Sequence, residues 1–302
     1  MSCSLVRDSE LSLTLTVQLI DIVITKYGNQ GMKSGFYERF SAEMVTAYGE
    51  TSAALARGRE RMSRFPEPGV LSGRVILAQQ EALAWLEGES FIPDQLALDY
   101  GTSPRAWRRW PFTFVRVFDR KIPGRGRMTS ANIFAWINRR ARTKEPSPAP
   151  ADEPIALDPD RLQRFIRLIG ETAPLPDLIA GADLAAGFTR ISPLPHGNIV
   201  IGTMFAEQLG IGVGGLSAGG IAAIGLKSRQ TPWTALLRGG ADQEADDLSE
   251  AGDTARLRLA WLAALQAGAI HVVALSDHAH FWLIRLNELC AQGRKTSHMR
   301  DV

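Results

Sequence analysis

The sequence predicts a mainly α-helical protein, and three observations carry that expectation. Apolar residues recur at three- and four-residue spacing over 159–169, 175–186, 198–209, 253–267 and 276–292. Gly or Pro punctuates the gaps between these segments. Period-two alternation, the mark of a half-buried strand, is confined to 11–19 and, more weakly, 112–118.

Taken in order, residues 1–51 form an amino-terminal extension. In it Leu11, Leu13, Leu15, Val17 and Leu19 alternate with Ser12, Thr14, Thr16 and Gln18, which suggests a short strand or a poorly ordered run. It is not read as a secretory leader, because Asp8 and Glu10 precede it and Asp21 interrupts it. Residues 52–144 form a helical region with a basic, aromatic segment, and 52–62 and 73–88 read as its helices. Residues 145–154 (EPSPAPADEP) place four prolines in ten positions, which forbids helix and favours a linker or long loop. Residues 155–302 form a second helical region. Within it, 241–253 carries six acids and no base and reads as an exposed loop or helix edge.

Apolar residues at 45% and charged residues at 22% of 302 fit a globular chain and exclude wholesale disorder. Two cysteines, Cys3 and Cys290, cannot build a disulfide framework or a structural zinc site, so a cytoplasmic protein is expected. The uncharged run 209–226 is long enough to cross a membrane, but seven of its 18 residues are glycine and Glu207 and Lys227 flank it. No membrane partner is expected.

The net charge of +2 conceals an asymmetry: residues 105–144 hold twelve Lys/Arg and one acid, Asp119. In the segment 96–110 (LALDYGTSPRAWRRW), which runs into that block, Ala97, Gly101 and Trp107 have the spacing of a helix-turn-helix. Thr102, Ser103, Arg105, Arg108 and Arg109 would then face a DNA groove or its phosphates. Trp107, Trp110, Phe112, Phe114 and Phe118 interleave with Arg116 and Arg120, combining stacking with phosphate contact. The competing reading is a solvated face, and Pro104 and the bulk of Trp107 fit the helix-turn-helix poorly.

Other motifs lose to simpler readings. Gly210, Gly212 and Gly215 spell GxGxxG, but a helical run precedes them where a dinucleotide fingerprint needs a strand. Residues 220–228 (GIAAIGLKS) miss a P-loop by one inserted residue, Leu226, ahead of Lys227. Asp277, His278 and His280, with His271 nearby, do not share one helical face, so no metal is expected. Ser276 or Asp277 as a helix N-cap explains that cluster more simply.

Residues 188–204 (FTRISPLPHGNIVIGTM) have the cadence of the Fic-domain loop HPFx(D/E)GNGRxxR, and 174–187 resembles the helix leading into it. Residues 81–98 (EALAWLEGESFIPDQLAL) resemble the Fic-type helix that carries a Glu-Gly pair, here Glu87 and Gly88. Over roughly 52–110 and 160–290 the chain resembles a Fic-like family of uncharacterised, often plasmid-borne bacterial proteins with a degenerate active-site motif.

The resemblance implies a helical core in which the helix carrying Glu87 packs against the 192–203 loop. Pro193, Gly197 and Asn198 match the loop pattern. The catalytic histidine position holds Ser192, whose hydroxyl cannot serve as a base near neutral pH. The metal-holding acid falls at His196, the second loop glycine at Ile199, and the two phosphate-facing arginines at Val200 and Thr203. In regulated Fic proteins the glutamate pairs with the second arginine, so Glu87 faces Thr203 without a guanidinium, and Leu83 stands where Ser or Thr is usual. The plainer reading of the pair is that Glu87 and Gly88 end a helix, with Gly88 at C′. What survives is a helix N-terminus at Gly197–Asn198 able to accept phosphate or another anion.

The expected function is that of a catalytically inactive Fic-like regulatory or binding module, with no catalytic residue, no cofactor and an unknown protein partner. A DNA-binding transcriptional regulator using 96–110 is the alternative. Residual nucleotide or phosphate transfer, with His196 as base, ranks last.

Overall fold

Helices α1 (Ala42–Arg64), α2 (Pro68–Leu86), α3 (Ser130–Asn138), α4 (Pro159–Glu171), α5 (Asp177–Ile191), α6 (Asn198–Ile211), α7 (Ile221–Ser228), α8 (Trp233–Arg238) and α9 (Asp247–His298) succeed one another along the chain. The structure, a computed structural model, describes residues 40–66, 68–88, 128–138, 156–211, 219–238 and 247–298. Helix accounts for 83% of these and no strand occurs among them, so the mainly α class holds. The strand-like runs 11–19 and 112–118, the 96–110 segment with Thr102, Ser103, Arg105, Arg108 and Arg109, and the 145–154 linker lie outside the described residues.

The chain divides into two compact units, 1–49 and 50–302. In the first, Ser41 starts α1, its Oγ accepting the Met44 N–H at 3.3 Å. Helices α2 to α9 all lie in the second unit.

Local chemistry explains where several helices begin. Asp158 caps α4, its Oδ1 accepting the N–H groups of Asp160 (3.0 Å) and Arg161 (3.1 Å), while Pro159 takes the first helical position with its φ preset. Thr129 caps α3 through the Asn132 N–H at 3.2 Å. On α4 only Leu162, Phe165 and Ile169 are buried, the stripe of a helix at the rim.

Helices α5, α6 and α7 are different: 178–182, 199–208 and 221–226 are buried without a break. A helix buried on every side belongs in the middle. Accordingly α5 and α6 form a central hairpin, α4 lies on α5, and α7 wedges between α9 and α2. Phe165 of α4, Phe188 of α5 and Phe205 of α6 meet edge-on, with centroids 4.8 Å (165–188) and 5.1 Å (165–205) apart, and Trp136 of α3 joins Phe205 at 5.6 Å. Burial of each such ring contributes roughly 1.5–3 kcal/mol. On the other side Trp233 and Trp261 stack at 5.7 Å, and the Trp261 indole packs so close to Gly181 that a Cβ there would stand 2.7 Å from its Nε1. Arg258 of α9 grips Asp183 of α5 with two hydrogen bonds, 3.0 and 2.7 Å, from a site that is mostly shielded from water.

The closest backbone approach joins α7 to α9. A Cβ on Gly225 would stand 1.8 Å from the carbonyl oxygen of Ala264, and one on Gly268 would stand 2.0 Å from that of Ile221. Glycine at both positions is therefore a packing requirement.

That contact corrects the sequence reading of the carboxy-terminal region. Residues 253–267 and 276–292 are one helix, α9, and Ser276 and Asp277 sit inside it, so neither caps a helix. Gly268 looks like a break in sequence; in the structure it lets α7 touch α9. The acidic 241–253 run is likewise helical from Asp247 onward.

Candidate functional site

The loop between α5 and α6 spans residues 192–197, and its form follows from its termini. Ser192 ends α5 in a left-handed conformation (φ 50°, ψ 60°), its N–H returning to the Phe188 carbonyl at 2.9 Å. Its hydroxyl donates to the Thr189 carbonyl at 2.6 Å and is thus committed within its own helix. The Ser192 carbonyl accepts Arg161 Nη1 at 2.9 Å, and the Pro193 carbonyl accepts the Asp158 N–H at 2.9 Å, so the start of α4 clamps the loop from outside. Asn198 staples it from inside: Oδ1 accepts the Leu194 N–H (3.0 Å) and Nδ2 donates to the Leu194 carbonyl (2.8 Å). Gly197, at φ +75°, turns the chain into α6. Pro193, Leu194 and Gly197 are buried, and His196 is exposed.

The structure brings Glu87 to this loop. Helix α2 ends at Leu86, and Glu87 and Gly88 form the turn that follows, with Gly88 at φ +83° and its N–H on the Trp85 carbonyl at 3.0 Å. The Glu87 carboxylate accepts the main-chain N–H of Val200, in the first turn of α6. Its Oε1 is sealed from solvent without a hydrogen-bond partner. Desolvation, the largest influence, raises its pKa above the usual carboxylate value; the Val200 N–H and the neighbouring His196 pull in the opposite direction. Glu87 therefore ends a helix and also reaches the loop, two roles that sequence alone set against each other.

Two consequences bear on an anion at Gly197–Asn198. The Val200 N–H is taken by Glu87, which leaves one donor fewer for an anion in the first turn of α6. Val200 and Thr203, the arginine positions in the Fic pattern, face the core: Val200 is buried and Thr203 is 0% exposed, its hydroxyl without a partner. Leu83, one turn before Glu87, is buried as well.

A second carboxylate plays the same kind of part deeper inside. Glu207, 1% exposed, accepts the N–H groups of Ile221 (Oε1, 3.0 Å) and Ala222 (Oε2, 2.8 Å). Helix α7 has Gly220 at its N-cap and no side-chain cap of its own. An acid from α6 therefore fills the start of α7, where the helix dipole and the unpaired N–H groups favour negative charge. These are the donors that the 220–228 run would offer to a phosphate if it were a P-loop. Lys227, moreover, is paired with Glu81 of α2. Sequence reading missed Glu207, although a lone acid in IGTMFAEQLG ahead of an uncapped GGIAA is a signal that a buried acceptor is required.

The remaining candidates are dispersed. Asp277 lies 3.5 Å from Arg61, His278 Nε2 accepts Trp282 Nε1 at 2.7 Å, and His280 meets the edge of Phe65. Among the described residues no group of His, Cys, Asp and Glu is placed to hold a metal ion. Gly210, first of the GxGxxG glycines, lies in α6, and Gly212 and Gly215 fall outside the described residues.

Chemically, the site offers a stapled loop, a shielded carboxylate on a helix N-terminus and one exposed imidazole. No protein-family model matches the chain, and no curated protein matches it.

Proposed function

We propose that the protein is a catalytically inactive Fic-like module that works by binding or regulation. The observation that carries the reading is the Glu87 carboxylate on the Val200 N–H, because it sets a chain-derived anion where the Fic pattern would place a phosphate. Three further facts support it. The Ser192 hydroxyl is spent on Thr189, Asn198 is spent on Leu194, and the two arginine positions are buried apolar or hydroxyl side chains. A polyphosphate at this loop would have to displace Glu87 and would find no guanidinium to neutralise it.

Calorimetric titration of the purified chain with magnesium nucleoside triphosphates tests the proposal. The expected result is no heat of binding for the wild type and at most weak binding for Glu87→Gly. Binding of the wild type in the micromolar range would overturn it.

A further inference from the structure

We infer that α2, α7 and α9 swing away from α4, α5 and α6 as one body, opening a polar cleft along α6 while α5 and α9 stay in contact. The inference goes beyond the Fic-like reading and does not depend on it.

Two unlike interfaces run through the core. One, α5 against α9, is tightly closed: the Trp261 indole packs on Gly181, and Arg258 holds Asp183 with two hydrogen bonds. The other lies between α6 and the pair α2 and α7. At about 100° per residue, Gly202 and Phe205 fall on one side of α6, where both meet Phe188 of α5. Val200, Thr203 and Glu207 fall within about 60° of one another on the opposite side. On the facing side Gln79 and Leu83 of α2, with Glu87 just beyond its end, follow at four-residue spacing.

Closed, this seam strands four polar atoms. Gln79 is 1% exposed, and its Oε1 and Nε2 are sealed from solvent, as are Thr203 Oγ1 and Glu87 Oε1. None of the four has a hydrogen-bond partner among the described residues. Unpaired polar atoms in the interior disfavour the closed form relative to one in which water reaches them. Carboxylates near the two ends hold the seam shut. Glu87 accepts the Val200 N–H, and Glu207 accepts those of Ile221 and Ala222. All three N–H groups stand in the first turn of a helix, where no acceptor exists within the helix itself.

Each side of the seam is firmly built. Gly225 and Gly268 bring α7 onto the backbone of α9, a Cβ on Gly220 would stand 2.6 Å from Gln79 Cβ, and Lys227 pairs with Glu81. Helices α2, α7 and α9 are thereby joined. Phe165, Phe188 and Phe205 likewise join α4, α5 and α6. A weak line between two firm bodies is where a fold opens below the cost of global unfolding. Opening takes Glu87 and Glu207 off their N–H groups together, and it parts Gly219 from Met204, which it touches across the seam.

Amide hydrogen exchange of the full chain, read residue by residue by NMR, is the test. Val200, Ile221 and Ala222 are buried, and they are expected to exchange at least about tenfold faster than Leu184 and Ala185, buried in the middle of α5. Gln79→Met keeps the unbranched stem and removes both stranded amide atoms. Thr203→Val removes the stranded hydroxyl and keeps the shape. Each substitution is expected to slow all three amides about tenfold, including those at the far end of the seam, roughly 10 Å away along α6. Wild-type exchange at the three positions no faster than at Leu184 and Ala185 overturns the inference, with no need of either variant. A substitution that slows none of the three, or only its nearest, also overturns it, since separate helix starts would then be fraying on their own. So does one that speeds exchange, because its polar atom is then satisfied in the closed form.

Discussion

Glu87 accepts the N–H of Val200, joining the end of α2 to the first turn of α6. Desolvation of the Glu87 carboxyl, which outweighs the opposing pull of the Val200 N–H, makes folding stability sensitive to pH in a defined direction. The Glu87 carboxyl has its pKa raised above 4.5 in the folded chain, chiefly by desolvation, so the folded state holds this proton more tightly than the unfolded one. Its contribution is complete below the unfolded value and is lost as pH rises through the folded one. Glu87→Gln lacks that dependence and keeps an oxygen for Val200. Thermal melts of both proteins from pH 4 to pH 8 should show the variant gaining on the wild type as pH rises. Parallel curves would contradict the burial of Glu87.

Glu207 anchors the start of α7 from within the core. Glu207→Ala leaves the Ile221 and Ala222 N–H groups buried without an acceptor and is expected to cost about 3–5 kcal/mol in urea unfolding. Glu207→Gln retains one acceptor and should cost less.

Two glycine substitutions make opposite predictions. Gly225→Ala drives a methyl group into the Ala264 carbonyl of α9 and should destabilise by about 3 kcal/mol or more. Gly73→Ala, inside α2 with nothing within 4 Å of the new Cβ, should stabilise by roughly 0.5–1 kcal/mol. Denaturant midpoints of the pair read both directly.

Which parts of this fold were legible depended on whether the signal was local. Asp158-Pro159 and Gly197-Asn198 announce the starts of α4 and α6, and both helices begin there. Continuity of α9 through Gly268 was not legible, because a glycine kept for contact with Ile221 has the same spelling as one that ends a helix. Helix α7 escaped for a related reason: 221–226 is buried on every side, and a helix without a polar face has no period. At the site, Glu87 beside the 192–203 loop was an expectation drawn from the resemblance alone; no spacing or periodicity in the sequence pairs Glu87 with Val200. The acid under α7 was not expected, since only tertiary structure shows that Gly220 leaves its helix uncapped.

The burial of Thr203 separates a sealed site from one merely lacking residues. Thr203→Arg places a guanidinium at a position that is 0% exposed, and the cost should exceed about 4 kcal/mol. Circular dichroism and size exclusion are expected to report a molten or aggregated product. A folded, monodisperse variant would mean that the side chain has a route to solvent and that the loop can still be armed.

Transfer of label from a nucleoside triphosphate carrying radioactive α-phosphate tests most directly whether the module is catalytically inactive. The wild type, Glu87→Gly and His196→Ala would each be incubated with magnesium and a cell extract. All three are expected to leave every protein unlabelled. Labelling that rises in Glu87→Gly and disappears in His196→Ala would contradict the inactive-module reading and make His196 the base of a working transferase.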